Sequence, residues 1–212
     1  MKILRWLFFK LIIRPFIMII LGLNVRRHEN LPEQGPAIIV ANHNSHLDTL
    51  VLMTLFSGKR IHAVRPIAAA DYFLKNKFIA WFSLNMMHII PLDRKPKKKD
   101  ETLFNGVYEA LDQNHIVILF PEGSRGEPEK VSTLKSGIYF LLKERPDVPV
   151  YPVFMHGLGK SLPKGKGLFV PFFCDVFVGS SFSWVPDKKQ FMKTLESQMS
   201  ELAGEGGFEP WE

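Results

Sequence analysis

A histidine and a carboxylate stand five positions apart in Asn42-His43-Asn44-Ser45-His46-Leu47-Asp48, directly after the apolar run Ala37 to Ala41. On a continuous helix that spacing would separate the two side chains, since only residues three and four apart stack. With His43 ahead of a helix and Asp48 in its first turn, the chain can bring the carboxylate back towards the imidazole. Such a pair fixes the ring tautomer and stabilises the imidazolium, which makes His43 a general base for a hydroxyl nucleophile. Two other readings use the same residues. Ser45 followed three positions later by Asp48 is a capping box. His43, His46 and Asp48 also carry metal-ligating atoms, although no obvious remote ligand accompanies them. His46 is otherwise structural or substrate-lining.

A second loop, Phe120-Pro121-Glu122-Gly123-Ser124-Arg125, leaves an apolar run in the same way. In an α/β sheet, loops at the carboxyl ends of neighbouring strands meet over one crevice. Gly123 permits close backbone approach, Ser124 can donate a hydrogen bond, and Arg125 can grip a phosphate through two parallel bonds. Arg94, beyond the apolar pair Ile89 and Ile90, is a second candidate anion clamp. A lone Pro-Glu-Gly turn is common, however, and an isolated Arg125 is more often a surface residue.

The elements that must hold these loops are legible as alternating strands and helices. Ala37–Ala41 reads as a short buried strand and 45–56 as a helix capped by Ser45. Residues 72–84 read as a helix more aromatic than a small core requires, a candidate for another membrane-facing surface, 87–91 as a short strand, and 93–99 as a basic loop. A helix over 103–114 precedes a central strand over 115–120. A helical stripe over 134–142, strands over 148–155 and 168–178, and a helix over 187–203 complete the pattern. This predicts an α/β fold: a single domain with a mostly buried, mixed sheet flanked by helices. The expected limits are an N-terminal segment over 1–24, the domain over 25–203 and a flexible tail over 204–212.

Composition narrows the setting. The 212-residue chain is 46% hydrophobic and 23% charged, which excludes a disordered chain and leaves apolar material beyond an ordinary core. Cys174 is the only cysteine, so there is no disulfide framework. The surplus concentrates in residues 6–23, interrupted by Lys10, Arg14 and Pro15, which is short of an uninterrupted membrane span. An interfacial or shallowly inserted amphipathic anchor fits better, with Lys2, Arg5, Lys10 and Arg14 snorkelling to headgroups, and a spanning helix or a helix buried against the domain are the alternatives. Between residues 59 and 99, ten lysines and arginines face only Asp71 and Asp93. That excess can attract an anionic membrane, a phosphorylated molecule or nucleic acid, or simply be a solvated face. The apolar surplus favours lipid, and no nucleic-acid module frames the charge.

In order and spacing, His43 and Asp48, then Pro91-Leu92-Asp93-Arg94, then Phe120 to Arg125, then Val150-Tyr151-Pro152-Val153 resemble the four motifs of the glycerolipid acyltransferases. Leu134-Lys135-Ser136-Gly137 is similar to the lysine and glycine segment that follows the third motif. The glycine and phenylalanine often found upstream of the second motif are absent. The resemblance covers about residues 31–179. It implies acyl transfer from an acyl thioester, acyl-CoA or acyl-ACP, to the hydroxyl of lysophosphatidate, giving phosphatidate without an acyl-enzyme and without a bound cofactor or metal. His43 would be the base and Asp48 its orienting partner. Arg94, Glu122, Gly123, Ser124 and Arg125 would bind the acceptor, and backbone groups near either loop are the expected donors to the thioester carbonyl. Glycerol 3-phosphate or another lysolipid is the alternative acceptor, and a non-catalytic peripheral lipid-binding protein is the alternative outside enzymes. The expected location is a membrane surface, the cytoplasmic face of the inner membrane if the source is bacterial.

Overall fold

The computed structural model describes residues 1–56, 58–93, 103–126, 132–161 and 173–208. Seven strands form one sheet: β1 (Leu23–Arg26), β2 (Ala37–Ala41), β3 (Val64–Ala69), β4 (Ile90–Leu92), β5 (Ile116–Leu119), β6 (Val150–His156) and β7 (Cys174–Val178). Their order is β1-β7-β6-β2-β5-β3-β4. The five strands from β6 to β4 are mutually parallel, while β7 runs antiparallel to β6 and parallel to β1. The sheet is therefore mixed, as the alternating pattern predicts.

All five residues of β2 are buried, which suits a central strand covered on both faces. Successive side chains enter opposite layers. Ala37, Ile39 and Ala41 pack with α3 (Asp48–Thr54) and the N-terminal helix. Ile38 and Val40 share the other layer with residues of α6 (Asn105–Asp112), α7 (Gly137–Lys143) and α9 (Lys188–Glu205). Asp187 caps α9 by accepting from the amides of Lys189 and Gln190.

The N-terminal helix comprises α1 (Lys2–Phe8), a π-helical turn (Phe9–Ile13) and α2 (Arg14–Ile20). Among the described residues, no helix is long and apolar enough to cross a membrane. Phe9, Ile17 and Leu21 are built into the core, each worth about 1.5–3 kcal/mol relative to exposure. Arg5 departs from the expectation that it would reach headgroups. It is fully buried and donates to the carbonyls of Met86, Val64 and Met87. Three backbone acceptors at the amino-terminal edge of the sheet hold it there, and burial pushes its pKa down to about 9, with Arg65 adding to the shift. Residues 23 and 24, expected in the N-terminal segment, belong to β1 and pair with Cys174 and Asp175.

The helix expected over 45–56 forms only as Asp48–Thr54. The one expected over 72–84 splits into α4 (Ala70–Phe73) and α5 (Lys77–Phe82), because Asn76 caps a new start by accepting from the Phe78 amide at 2.8 Å. A π-helical turn, Ser83–Met87, continues α5. The remaining short helix, α8 (Leu158–Ser161), follows β6. The basic loop over 93–99 lies outside the described residues apart from Asp93, as does the first part of the strand region expected over 168–178.

Candidate active site

His43 leaves β2 at the carboxyl edge of the sheet, and its Nδ1 lies 2.8 Å from Asp48 Oδ2. The same oxygen accepts from the amides of Asn44 at 2.7 Å and Ser45 at 2.9 Å. The helix starts at Asp48 with Leu47 at its N-cap and no side-chain cap, so Ser45 does not cap it as expected; Ser45 Oγ instead accepts from the Leu47 amide at 3.3 Å inside the turn ahead of α3. One buried oxygen of Asp48 ties that turn together and meets the imidazole. A carboxylate oxygen can only accept, so in the neutral ring this contact selects the tautomer with the proton on Nδ1 and the lone pair on Nε2. The His43 ring stacks on Phe120 with centroids 4.2 Å apart and planes at 21°.

The second loop comes from β5, which lies beside β2 in register Ala37 with Ile116. Glu122 crosses to the first loop, and its Oε1 accepts from the His43 amide at 2.9 Å. The Gly126 amide returns the link by donating to the His43 carbonyl, also at 2.9 Å. Glu122 is only 3% exposed. Burial raises its pKa, and the hydrogen bonds from the His43 amide and Ser132 oppose that shift. Glu122 therefore braces the backbone that carries His43.

Gly123 adopts φ +72°, and a Cβ there would stand 2.6 Å from Lys135 Nζ. Lys135 is thus folded over the loop, and its own amide donates to the Pro121 carbonyl at 2.9 Å. Ser124 is exposed and Arg125 half-buried. His46 is held below the usual imidazole range, first by partial desolvation and then by the Arg125 guanidinium, which places that cation within electrostatic reach of the first loop. Arg94 lies outside the described residues. Among the described residues, no group of three or more His, Cys, Asp or Glu side chains is arranged to hold a metal ion.

Asn42 has a role that its position in the motif alone does not reveal. Its side chain donates to the Met155 carbonyl at 2.8 Å and accepts from the Met155 amide at 2.7 Å, tying the end of β2 to β6. An amide matches that donor and acceptor pair, and the signal in the sequence is a buried-type Asn directly after an apolar strand. Asn42→Ala would orphan both backbone groups. It is expected to destabilise the fold by about 2–4 kcal/mol, read as a lower denaturant midpoint at unchanged slope.

A cavity of about 260 Å³ lies elsewhere, between the N-terminal helix and the far end of α3. Trp6, Phe9, Met53 and Phe56 line it, together with Lys10 and Arg14. It sits away from the first turn of α3, where Asp48 meets His43.

A sheet covered by helices on both faces, with a histidine–aspartate pair where its central strands end, defines the class: an α/β protein with a paired imidazole and carboxylate at the carboxyl edge of its sheet. The chain belongs to the acyltransferase family, whose model, described simply as Acyltransferase, matches residues 22–156. A chloroplastic 1-acyl-sn-glycerol-3-phosphate acyltransferase of Arabidopsis thaliana is 32% identical over 155 residues, covering 73% of this chain and 40% of that protein. The alpha form of 1-acyl-sn-glycerol-3-phosphate acyltransferase from Homo sapiens is 27% identical, covering 73% of this chain and 52% of its own length. A lyso-ornithine lipid O-acyltransferase of Rhizobium meliloti is 27% identical over 121 residues, covering 57% of this chain and 39% of its own. The chain thus spans about half or less of these curated relatives. The crystal structure of the 1-acyl-sn-glycerophosphate acyltransferase PlsC from Thermotoga maritima shares the fold, with a TM-score of 0.78 at 22% identity, covering 100% of this chain and 81% of that one.

Proposed function

We propose that the chain transfers an acyl group from an acyl thioester, carried by coenzyme A or acyl carrier protein, to the free hydroxyl of lysophosphatidate at a membrane surface. The observation that carries this reading is the imidazole whose Nδ1 meets a buried carboxylate, which orients the ring and would stabilise it once Nε2 takes a proton. In the step, Nε2 removes the hydroxyl proton as the oxygen attacks the thioester carbonyl. The new C–O bond forms, the C–S bond breaks, and the departing thiolate takes the proton from the imidazolium. Asp48 stabilises the imidazolium in between and makes no contact with substrate.

Arg125 and Lys135 would supply positive charge for the acceptor phosphate, with Arg94 a further candidate and Gly123 and Ser124 lining the approach. Donors to the developing oxyanion are more restricted than the sequence suggests. The amides of His43, Asn44, Ser45, Gly123 and Gly126 already serve acceptors within the two loops. The N-terminal helix would hold the protein at the bilayer through Leu4, Leu7, Leu11 and Ile12, which are exposed, while Phe9 and Ile17 keep it attached to the core.

Purified protein given an acyl thioester and lysophosphatidate is expected to release thiol and form diacyl lipid. Its kcat/KM should exceed that for glycerol 3-phosphate by about tenfold or more, since the acyl chain of a lysolipid adds apolar contact. The Rhizobium relative, named for a lyso-ornithine lipid, favours a second acceptor class that belongs in the same panel. A preference for that headgroup over phosphate would reassign the acceptor and leave the chemical step intact.

A further inference from the structure

We infer that α4 and α5 form a second membrane-docking element, beside the catalytic crevice, that seats in an anionic phospholipid surface. This deepens the acyl-transfer reading and rests on it only for the kinetic part of its test. From Asp71 to Ile79 every residue except Phe73 is exposed, which is unusual for a segment so apolar. Tyr72, Leu74, Phe78, Ile79, Trp81 and Leu84 all present large apolar side chains to solvent, Phe78 at 73%. Soluble proteins rarely leave so many contiguous apolar groups uncovered, and such patches mark protein or membrane contacts.

Three observations select the bilayer. Charge is the first: exposed Lys75 and Lys77 flank the cap of α5 and exposed Lys2, Lys10 and Arg14 lie on the N-terminal helix, with Asp71 the one carboxylate in the α4–α5 segment. Basic groups beside apolar side chains are the composition that binds an anionic lipid surface. Continuity is the second. Phe82 meets Phe8 of α1 edge to face, with centroids 5.5 Å apart, so two segments distant in sequence join into one apolar surface. Position is the third. α4 starts where β3 ends, on the edge of the sheet that carries His43, and Tyr72 stacks on His46 at 6.2 Å and 26°. A bilayer seated on α5 would bring its lipids to the mouth of the crevice, and a lysolipid could reach His43 without crossing open water.

The full chain carrying Phe78→Cys, labelled with an environment-sensitive fluorophore, tests this directly, because Cys174 is fully buried and will not compete for the label. With phosphatidylglycerol vesicles the probe should brighten and shift to the blue, and much less so with phosphatidylcholine. In the double variant F78E/W81E, the KM for vesicle-borne lysolipid should rise by about tenfold, while kcat and turnover of a short-chain, water-soluble lysolipid stay at wild-type values. A silent probe, or unchanged vesicle kinetics in the double variant, would overturn the inference. So would dimerisation that F78E/W81E abolishes, which would assign the face to a second copy. If the wild type turns over neither acceptor, the acyl-transfer reading fails, and the fluorescence still decides whether the surface enters lipid.

Discussion

His43→Ala should lower kcat/KM for acyl transfer by about 10³-fold, the middle of the range for a positioned base. Among the described residues the site offers no replacement for the lost group. The nearby carboxylate of Glu122 is buried and directed to the His43 amide, and His46 is stacked on Tyr72. The fold should lose less, about 1–2 kcal/mol, because the mostly buried ring gives up its stack on Phe120 and one hydrogen bond, while Asp48 Oδ2 still accepts two backbone amides. Single-turnover rates measured beside a denaturation curve separate the two effects. Retention of activity within tenfold would remove His43 from the mechanism.

Asp48→Asn should be nearly as damaging to turnover, by about 10³-fold, and should also weaken the fold by roughly 1–3 kcal/mol. The reason is the asymmetry of the carboxylate. Oδ2 receives three hydrogen bonds, while Oδ1 is buried with no hydrogen-bond partner among the described residues. An asparagine with its oxygen in the place of Oδ2 keeps the three donors but seals an NH₂ group in the pocket of Oδ1. The flipped amide sets NH₂ against three donors. Either way the negative charge that steadies the imidazolium is gone. Because Asp48 is 1% exposed, KM should hold while kcat falls. A variant that loses affinity and keeps kcat would place Asp48 in acceptor binding instead.

Both predictions concern a pair that could be read from residue types and spacing, yet its geometry could not. A five-residue separation admits many arrangements. The turn formed by Ser45 and Leu47 ahead of α3 chooses the one in which a single oxygen serves three donors. Glu122 shows the opposite case. Its membership of a second loop was legible, but a contact spanning 79 positions depends on β5 lying beside β2, so its bracing of His43 was not. Asn42 and Met155 are linked across 113 positions for the same kind of reason.

By itself the sequence determined the local elements and the chemistry they could carry. An unbroken apolar run became β2, loops followed two strands, and a histidine stood five residues before an aspartate. These are short-range properties, set by side-chain periodicity and by residues that start or stop helices. Only the tertiary structure decided the strand order, the antiparallel β7, the burial of Arg5 and the split of the aromatic segment's surface between core and solvent. Each of these depends on which distant backbone groups and apolar faces remain to be satisfied once the chain has folded. Arg5 is the clearest instance: the same guanidinium suits a headgroup or three buried carbonyls, and the edge of the sheet supplied the carbonyls.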